Sequence, residues 1–278
     1  MVPKPVVSVI IPAYNPGGLL REALASVVAQ DFKDWECVVV DDGSDEDLSW
    51  ASGLDVRIRV VRQGNHGVSA ARNAGARVTT GDYLAFLDAD DLWLPGKLTA
   101  QVGSMSVGAP FSATGFFRFT STSKLPGWRG DTSFSQLLRG NSLCASSVMV
   151  SRVRFEQVGG YDERLRIAED WDLWMRLARL GDGRFIPEVL TGYRVHEMQT
   201  SGKPVGMWLW SLVAIVKQRG PLGASIAGAR RVSEIYGAQI FDKFRETRDP
   251  RYLAIATIAR PRYIAGEVRR QIALKLFR

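Results

Sequence analysis

Asp88-Ala89-Asp90 places two carboxylates one residue apart, directly after the apolar run Tyr83 to Leu87. Such a run reads as a buried strand, so both acids leave its end together. Two carboxylates in that arrangement can share a divalent cation. Hard oxygen ligands suit Mg²⁺ or Mn²⁺, ions commonly held by one or two carboxylates together with substrate phosphates. The competing reading is a solvated acidic turn that caps the next helix. Asp41-Asp42-Gly43-Ser44 offers a similar choice. A carboxylate at a strand end can accept hydrogen bonds from a base or a ribose, or it can cap a helix. Glu169 and Asp170 open an amphipathic pattern. There a carboxylate can act as a general base, or it can simply favour a helix N-terminus through the macrodipole. His196 follows a late strand-like run and is either a ligand or a structural hydrogen-bond partner.

The elements that must hold these groups can be read from periodicity. Val6 to Ile11, Glu36 to Val40, Val56 to Val61 and Tyr83 to Leu87 read as strands. Leu19 to Val28 and His66 to Arg77 read as the helices between them. Strands alternating with helices imply βαβ units and a mostly parallel sheet. Ligands of such sheets bind beyond the carboxyl ends of the strands. Three strand ends carry polar clusters, Tyr14-Asn15, Asp41-Asp42 and Asp88 to Asp91, and these should meet in one crevice. After residue 95 the rhythm changes. Phe111 to Phe119, Ser147 to Ser151 and Val189 to Val195 read as strands, Phe134 to Leu138 as a short helix, and Glu169 to Leu180 as an amphipathic helix with Leu173, Leu177 and Leu180 on one stripe. Asp172 and Arg176, at i and i+4, read as a surface ion pair. Trp171 and Trp174 either stack on a sugar or fill the core. From Trp208 onward the chain reads as helical, interrupted at Pro221, Pro250 and Pro261.

The 278 residues carry a net charge of +7, unevenly placed. Residues 217–278 hold 14 Lys/Arg against 5 Asp/Glu, so the remainder is close to neutral. Ile264, Val268, Ile272 and Leu276 recur at i, i+4 among Arg269, Arg270, Lys275 and Arg278. Residues 262–278 therefore read either as a basic amphipathic helix suited to an anionic membrane surface or as a helix packed on the domain. No nucleic-acid recognition motif accompanies the charge. The uncharged run Pro204 to Val216 is too short to span a bilayer. Met1 to Pro5 runs straight into a strand, unlike a cleaved export signal. Cys37 and Cys144 have no partners at metal-ligand spacing and read as reduced core thiols. A cytoplasmic location follows, with a possible peripheral place at the inner face of the cell membrane.

Four segments in order resemble the family 2 glycosyltransferases, which have the GT-A fold: Val9 to Asn15, Val40-Asp41-Asp42-Gly43-Ser44-Asp45, Gly67 to Gly75 and Phe86 to Asp91. The resemblance continues through Gly159 to Glu163, Glu169 to Trp174 and Tyr193 to His196, covering roughly residues 5–200. It implies an inverting, metal-dependent transfer from a nucleoside-diphosphate sugar, most simply a UDP-sugar, to a saccharide or lipid-linked acceptor in cell-surface polysaccharide synthesis. By position it implies that Pro12, Ala13, Tyr14 and Asn15 line the nucleotide pocket and that Asp42 holds the base. Arg72 and Asn73 would lie beside the nucleotide, and Asp88 with Ala89 at the ribose. Asp90 would bind the metal, with Asp88 and His196 as further ligands, and Asp170 would be the catalytic base with Glu169 as its competitor. The expected fold is an α/β GT-A domain, Rossmann-like, with a mostly parallel mixed sheet flanked by helices and a C-terminal helical extension. Residues 1–203 would form the catalytic domain, with a nucleotide-sugar half at 1–95 and an acceptor half at 96–203, and residues 204–278 the basic extension. The alternative is a non-catalytic nucleotide-sugar-binding or membrane-surface protein.

Overall fold

The computed structural model describes residues 4–120, 123–128, 132–196, 204–218, 222–247 and 249–260. In chain order the strands are β1 (Val7–Ala13), β2 (Trp35–Asp41), β3 (Ile58–Arg62), β4 (Tyr83–Phe86), β5 (Leu92–Trp93), β6 (Phe111–Phe119), β7 (Lys124–Trp128), β8 (Val148–Ser151) and β9 (Arg184–Arg194). The helices are α1 (Leu19–Val28), α2 (Val68–Val78), α3 (Lys97–Met105), α4 (Phe134–Leu137), α5 (Arg152–Gln157), α6 (Glu169–Ala178), α7 (Pro204–Lys217), α8 (Leu222–Thr247) and α9 (Pro250–Ala259). They fall into two compact units. One runs to His196 without residues 138–140, and the other holds Leu138–Gly140 and the residues beyond His196.

In the first unit one sheet has the strand order β3-β2-β1-β4-β8-β6-β9-β5, with β7 paired to β6. The β1 strand is fully buried and β2 nearly so, as their Val- and Ile-rich runs require of strands covered on both faces. Their pairing with each other and with β3 and β4 is parallel. Past β4 the sheet changes character. The β8 strand pairs antiparallel with β4 and β6, while β9 runs parallel to β6 and antiparallel to β5. The change of rhythm after residue 95 is therefore a change of topology. Because β2 lies on one side of β1 and β4 on the other, the ends of β1, β2 and β4 share one edge, where the chain's connections reverse direction.

Several readings are corrected. Val56 is fully exposed and precedes β3. His66 precedes α2, which starts at Val68. Leu180 lies beyond α6 and is partly exposed, and the buried apolar residues of the helix are Trp171, Leu173, Trp174, Met175, Leu177 and Ala178. Both tryptophans are core residues: Trp171 Nε1 donates to the Leu137 carbonyl at 2.7 Å, and Trp174 stacks on Phe111. The Asp172–Arg176 pair exists at 2.8 Å, but the Asp172 side chain is wholly buried. Spacing alone recorded the pair and could not show that α6 is covered on that side. Cys37 and Cys144 are free and buried.

In the second unit α7 packs on α8 and α8 on α9. Trp208 Nε1 donates to Ser233 Oγ at 3.0 Å. Pro250 opens α9 behind Asp249, whose carboxylate accepts from the Arg251 amide. Pro221, Pro261 and the tail at 262–278 lie outside the described residues. Among the described residues no helix is long and apolar enough to cross a membrane.

Close helix-to-sheet packing under the polar edge is set by Gly75. A Cβ there would stand 2.5 Å from Ile10 Cγ2 and 3.2 Å from Val40 Cγ2. Gly75→Val is expected to cost about 1–3 kcal/mol of stability by overpacking. Urea unfolding checks this, and an unchanged midpoint would show that β1 and β2 yield to the new side chain.

Candidate active site

The sheet edge gathers the polar strand ends. Ala13 pairs with Asp41, and the Asp42 amide donates to the Ala13 carbonyl at 2.8 Å. Pro12 is paired with Val40 inside the sheet, while Tyr14 beyond it is half exposed. Asn15 adopts a left-handed backbone at φ 45°. Its amide donates to Ser44 Oγ and its side-chain oxygen accepts from the Asp45 amide, which ties the end of β1 to the loop after β2. Gly43 makes that loop possible: its φ is +84°, and a Cβ would meet the Asn65 amide nitrogen at 2.9 Å.

Asp41 and Asp42 are both buried and do different work. Asp41 pairs with Arg62 at 2.8 Å and accepts from the Ser44 amide. Asp42 gathers three donors from one loop, Gln63 Nε2 and the amides of His66 and Gly67, at 2.8 to 2.9 Å. Its carboxylate thus fixes segment 63–67, which leads into α2.

Arg72, on α2, is buried and forks between two carboxylates. Its guanidinium reaches Asp88 Oδ1 at 2.6 Å and Glu169 Oε1 at 2.9 Å, with the Tyr161 ring beneath it. Burial opposes its charge, but Asp88, Tyr161 and Glu169 hold it firmly protonated. Asn73 beside it turns inward: its carboxamide clips the Tyr161 backbone in both directions and reaches Glu163 Oε1 at 2.9 Å.

The segment after β4 carries three acids. Asp90 Oδ2 lies 2.8 Å from His196 Nε2. Asp91 is buried, accepting from Ser146 Oγ at 2.6 Å and from the Arg194 amide at 2.8 Å. The Asp88 amide donates to Ser146 Oγ, and Arg194 Nε donates to the Asp90 carbonyl at 2.7 Å. Burial raises the Asp90 carboxyl, with a further push from the Asp88 charge. Asp91 is raised by burial and then by both neighbouring acids. Crowded carboxylates held out of water favour a compact cation. Among the described residues no three His, Cys, Asp or Glu are grouped to hold a metal by themselves. Asp90 and His196 nevertheless present an oxygen and an imidazole nitrogen face to face. That pair suits a divalent ion that completes its shell from phosphate and water.

Asp170 stands in the first turn of α6, behind Ala168, whose left-handed backbone at φ 62° turns the chain into the helix. Its Oδ1 accepts from the Trp171 amide, and Asn141 Nδ2 donates to its Oδ2 at 3.3 Å. Burial, then the adjacent Glu169 charge, pushes the Asp170 carboxyl up to about 7. Glu169 is engaged by Arg72, so Asp88, Arg72 and Glu169 form one ionic chain that ends beside Asp170. Asp91, Ser146, Arg194 and Asn141 had no assigned role from sequence. Ser146 and Asn141 belong to no spacing pattern, and Asp91 reads as one more acid of a turn.

This arrangement of a parallel half continued by a mixed sheet is the GT-A glycosyltransferase fold. S. aureus TarS, residues 1–349 in complex with UDP-GlcNAc, superposes with a TM-score of 0.67 at 16% identity, covering 91% of this chain and 79% of that one. A mannosyltransferase from Pyrobaculum calidifontis in complex with GDP-Man and Mn²⁺ superposes at 0.65 with 19% identity, over 99% of this chain and 81% of that one. The glycosyl transferase family 2 model matches residues 8–164, and the chain belongs to that family. A Bacillus subtilis glycosyltransferase named for teichuronic acid biosynthesis is 31% identical over 69% of this chain and 80% of its own length. An uncharacterized Rickettsia typhi glycosyltransferase is 28% identical over 77% and 74%. Against three longer rickettsial relatives the match spans only 31% to 36% of their length.

Arg72→Met keeps the side-chain volume but leaves Asp88 and Glu169 without their shared counter-charge. Removing one partner from a buried ionic cluster costs about 3–5 kcal/mol, so the variant should unfold at distinctly lower urea concentration. A wild-type midpoint would mean that solvent already screens both acids.

Proposed function

We propose that this glycosyltransferase is inverting and metal-assisted, transferring a sugar from a nucleoside-diphosphate sugar, a UDP-sugar in the simplest case, to a hydroxyl of a saccharide or lipid-linked acceptor. Asp170 is the general base. The observation that carries the reading is the Asp170 carboxyl, pushed up to about 7 and joined through Glu169 and Arg72 to Asp88 on the donor side. A base poised near neutral pH is well matched to taking a proton from a hydroxyl. Names among the relatives, such as teichuronic acid biosynthesis, support an acceptor in cell-surface polysaccharide synthesis. A place at the inner face of the cell membrane fits such an acceptor.

Within this reading Tyr14, Asn15 and the segment fixed by Asp42 receive the nucleoside, and Asp88 faces the ribose. Asp90 and His196 would hold the divalent ion, whose chemistry is to stabilise charge on the diphosphate. As the acceptor oxygen attacks the anomeric carbon, Asp170 takes its proton. The new carbon–oxygen bond forms while the bond to phosphate breaks, and the electron pair leaves with the nucleoside diphosphate. Attack and departure lie on opposite faces, so the configuration inverts and no covalent intermediate on the protein arises. Asn141 steadies the carboxylate oxygen it touches.

Asp170→Asn should lower turnover by about 10²–10⁴-fold, the usual worth of a general base, while nucleotide-sugar affinity and melting temperature stay put. Wild-type turnover would reject the assignment, and binding without any turnover in the native chain would favour a non-catalytic role. Because Asp170 must be ionised to act, kcat/KM should fall as pH drops through about 7. Glu169→Gln removes a charge that raises Asp170 and should move that limb to lower pH. Chelation with EDTA should abolish transfer and added Mn²⁺ or Mg²⁺ should restore it; full activity in chelator would remove the metal from the reading.

A further inference from the structure

We propose that the outer face of α7 docks on an anionic lipid bilayer. Leu209, Val213 and Val216 stand at i, i+4 and i+7, one helical face, and are 50%, 46% and 70% exposed. The opposite face is already spent, since Trp208, Ser211, Ala214 and Ile215 are buried. This helix is therefore apolar on its covered side and on its open side. A surface stripe of that kind marks an interaction site. The helix has 14 residues, about 21 Å at the usual rise, too short to cross a hydrocarbon core of about 30 Å. It can lie along an interface but cannot span it.

Charge selects the occupant. From Met198 to Ser233, 36 consecutive residues contain five cations, Lys203, Lys217, Arg219, Arg230 and Arg231, and no acid, and of these Arg230 pairs with Glu234 just beyond. A second copy of the chain would set like charge against like. Residues 261–278 carry five Lys/Arg against one acid and would do the same. An acidic protein surface would answer the charge only if it also carried an apolar groove shaped to this stripe. An anionic bilayer supplies both, with phosphate headgroups for the cations and acyl chains for the stripe. The proposal makes no use of the tail at 262–278 and stands apart from the sugar-transfer reading, so either can fail alone.

The test is flotation of the full chain with vesicles of phosphatidylcholine alone or mixed with phosphatidylglycerol. The wild type should float with the anionic vesicles only, and added salt should weaken it. The triple variant Leu209→Ser, Val213→Ser, Val216→Ser should bind about tenfold less or worse at unchanged melting temperature. Equal flotation of the variant, no flotation of the wild type, or loss seen only in a Val268→Ser, Ile272→Ser tail variant overturns the proposal. So does a wild-type dimer that the triple variant dissolves, which would assign the face to a second copy. A second measurement does not depend on that variant folding. Val213→Cys labelled with an environment-sensitive fluorophore should shift to the blue on anionic vesicles, the native Cys37 and Cys144 being buried away from the label. No shift refutes the docking.

Discussion

Asp91 holds together three stretches of chain that are remote in sequence. Its two oxygens are taken by Ser146 Oγ and by the amide of Arg194, and each of those residues reaches back to the same acidic loop, Ser146 to the Asp88 amide and Arg194 to the Asp90 carbonyl. The loop is thereby fixed against the approach to β8 and the end of β9. Together with the pairing of β9 to β6 and the Val195 amide's bond to the Phe119 carbonyl, this holds the segment that brings His196 opposite Asp90. The two residues best suited to a cation are thus positioned by an acid that has no free oxygen to offer one.

Electrostatics explains the rest of the arrangement. Asp88, Asp90 and Asp91 follow one strand, and Glu169 and Asp170 open one helix. Two arginines, Arg72 and Arg194, lie among them. Arg72 neutralises part of each group at once, which lets Asp88 and the α6 acids sit close without mutual repulsion deciding the geometry. Burial holds the Asp90, Asp91 and Asp170 carboxyls above the usual carboxylate range, Asp91 despite its two donors.

The parallel half of the fold was legible because β1 and β2 are buried on both faces and spell out as β-branched runs ending in polar clusters. The carboxylates themselves were legible for the same reason. The second half was harder: β6 finds its neighbours in β8 and β9, and nothing local in Phe111 to Phe119 distinguishes an antiparallel partner from a parallel one. Asp172 illustrates the limit of spacing rules, which identified its Arg176 partner but not the layer covering both. Ser146 and Asn141 left no trace, since a small polar residue contributes no periodicity and its meaning comes only from what folds against it.

The clamp at Asp91 also sets an order of events during synthesis. Its second donor lies 103 residues further along the chain. At about 5–20 residues per second, a nascent chain waits about 5–20 s between emergence of the acidic loop and arrival of the segment that locks it. Through that interval β1 to β4 can assemble from nearby pairings while the loop stays open, its acids still hydrated. The parallel half can thus form as a shell early, and the constellation of acids and His196 closes only once β9 has left the ribosome.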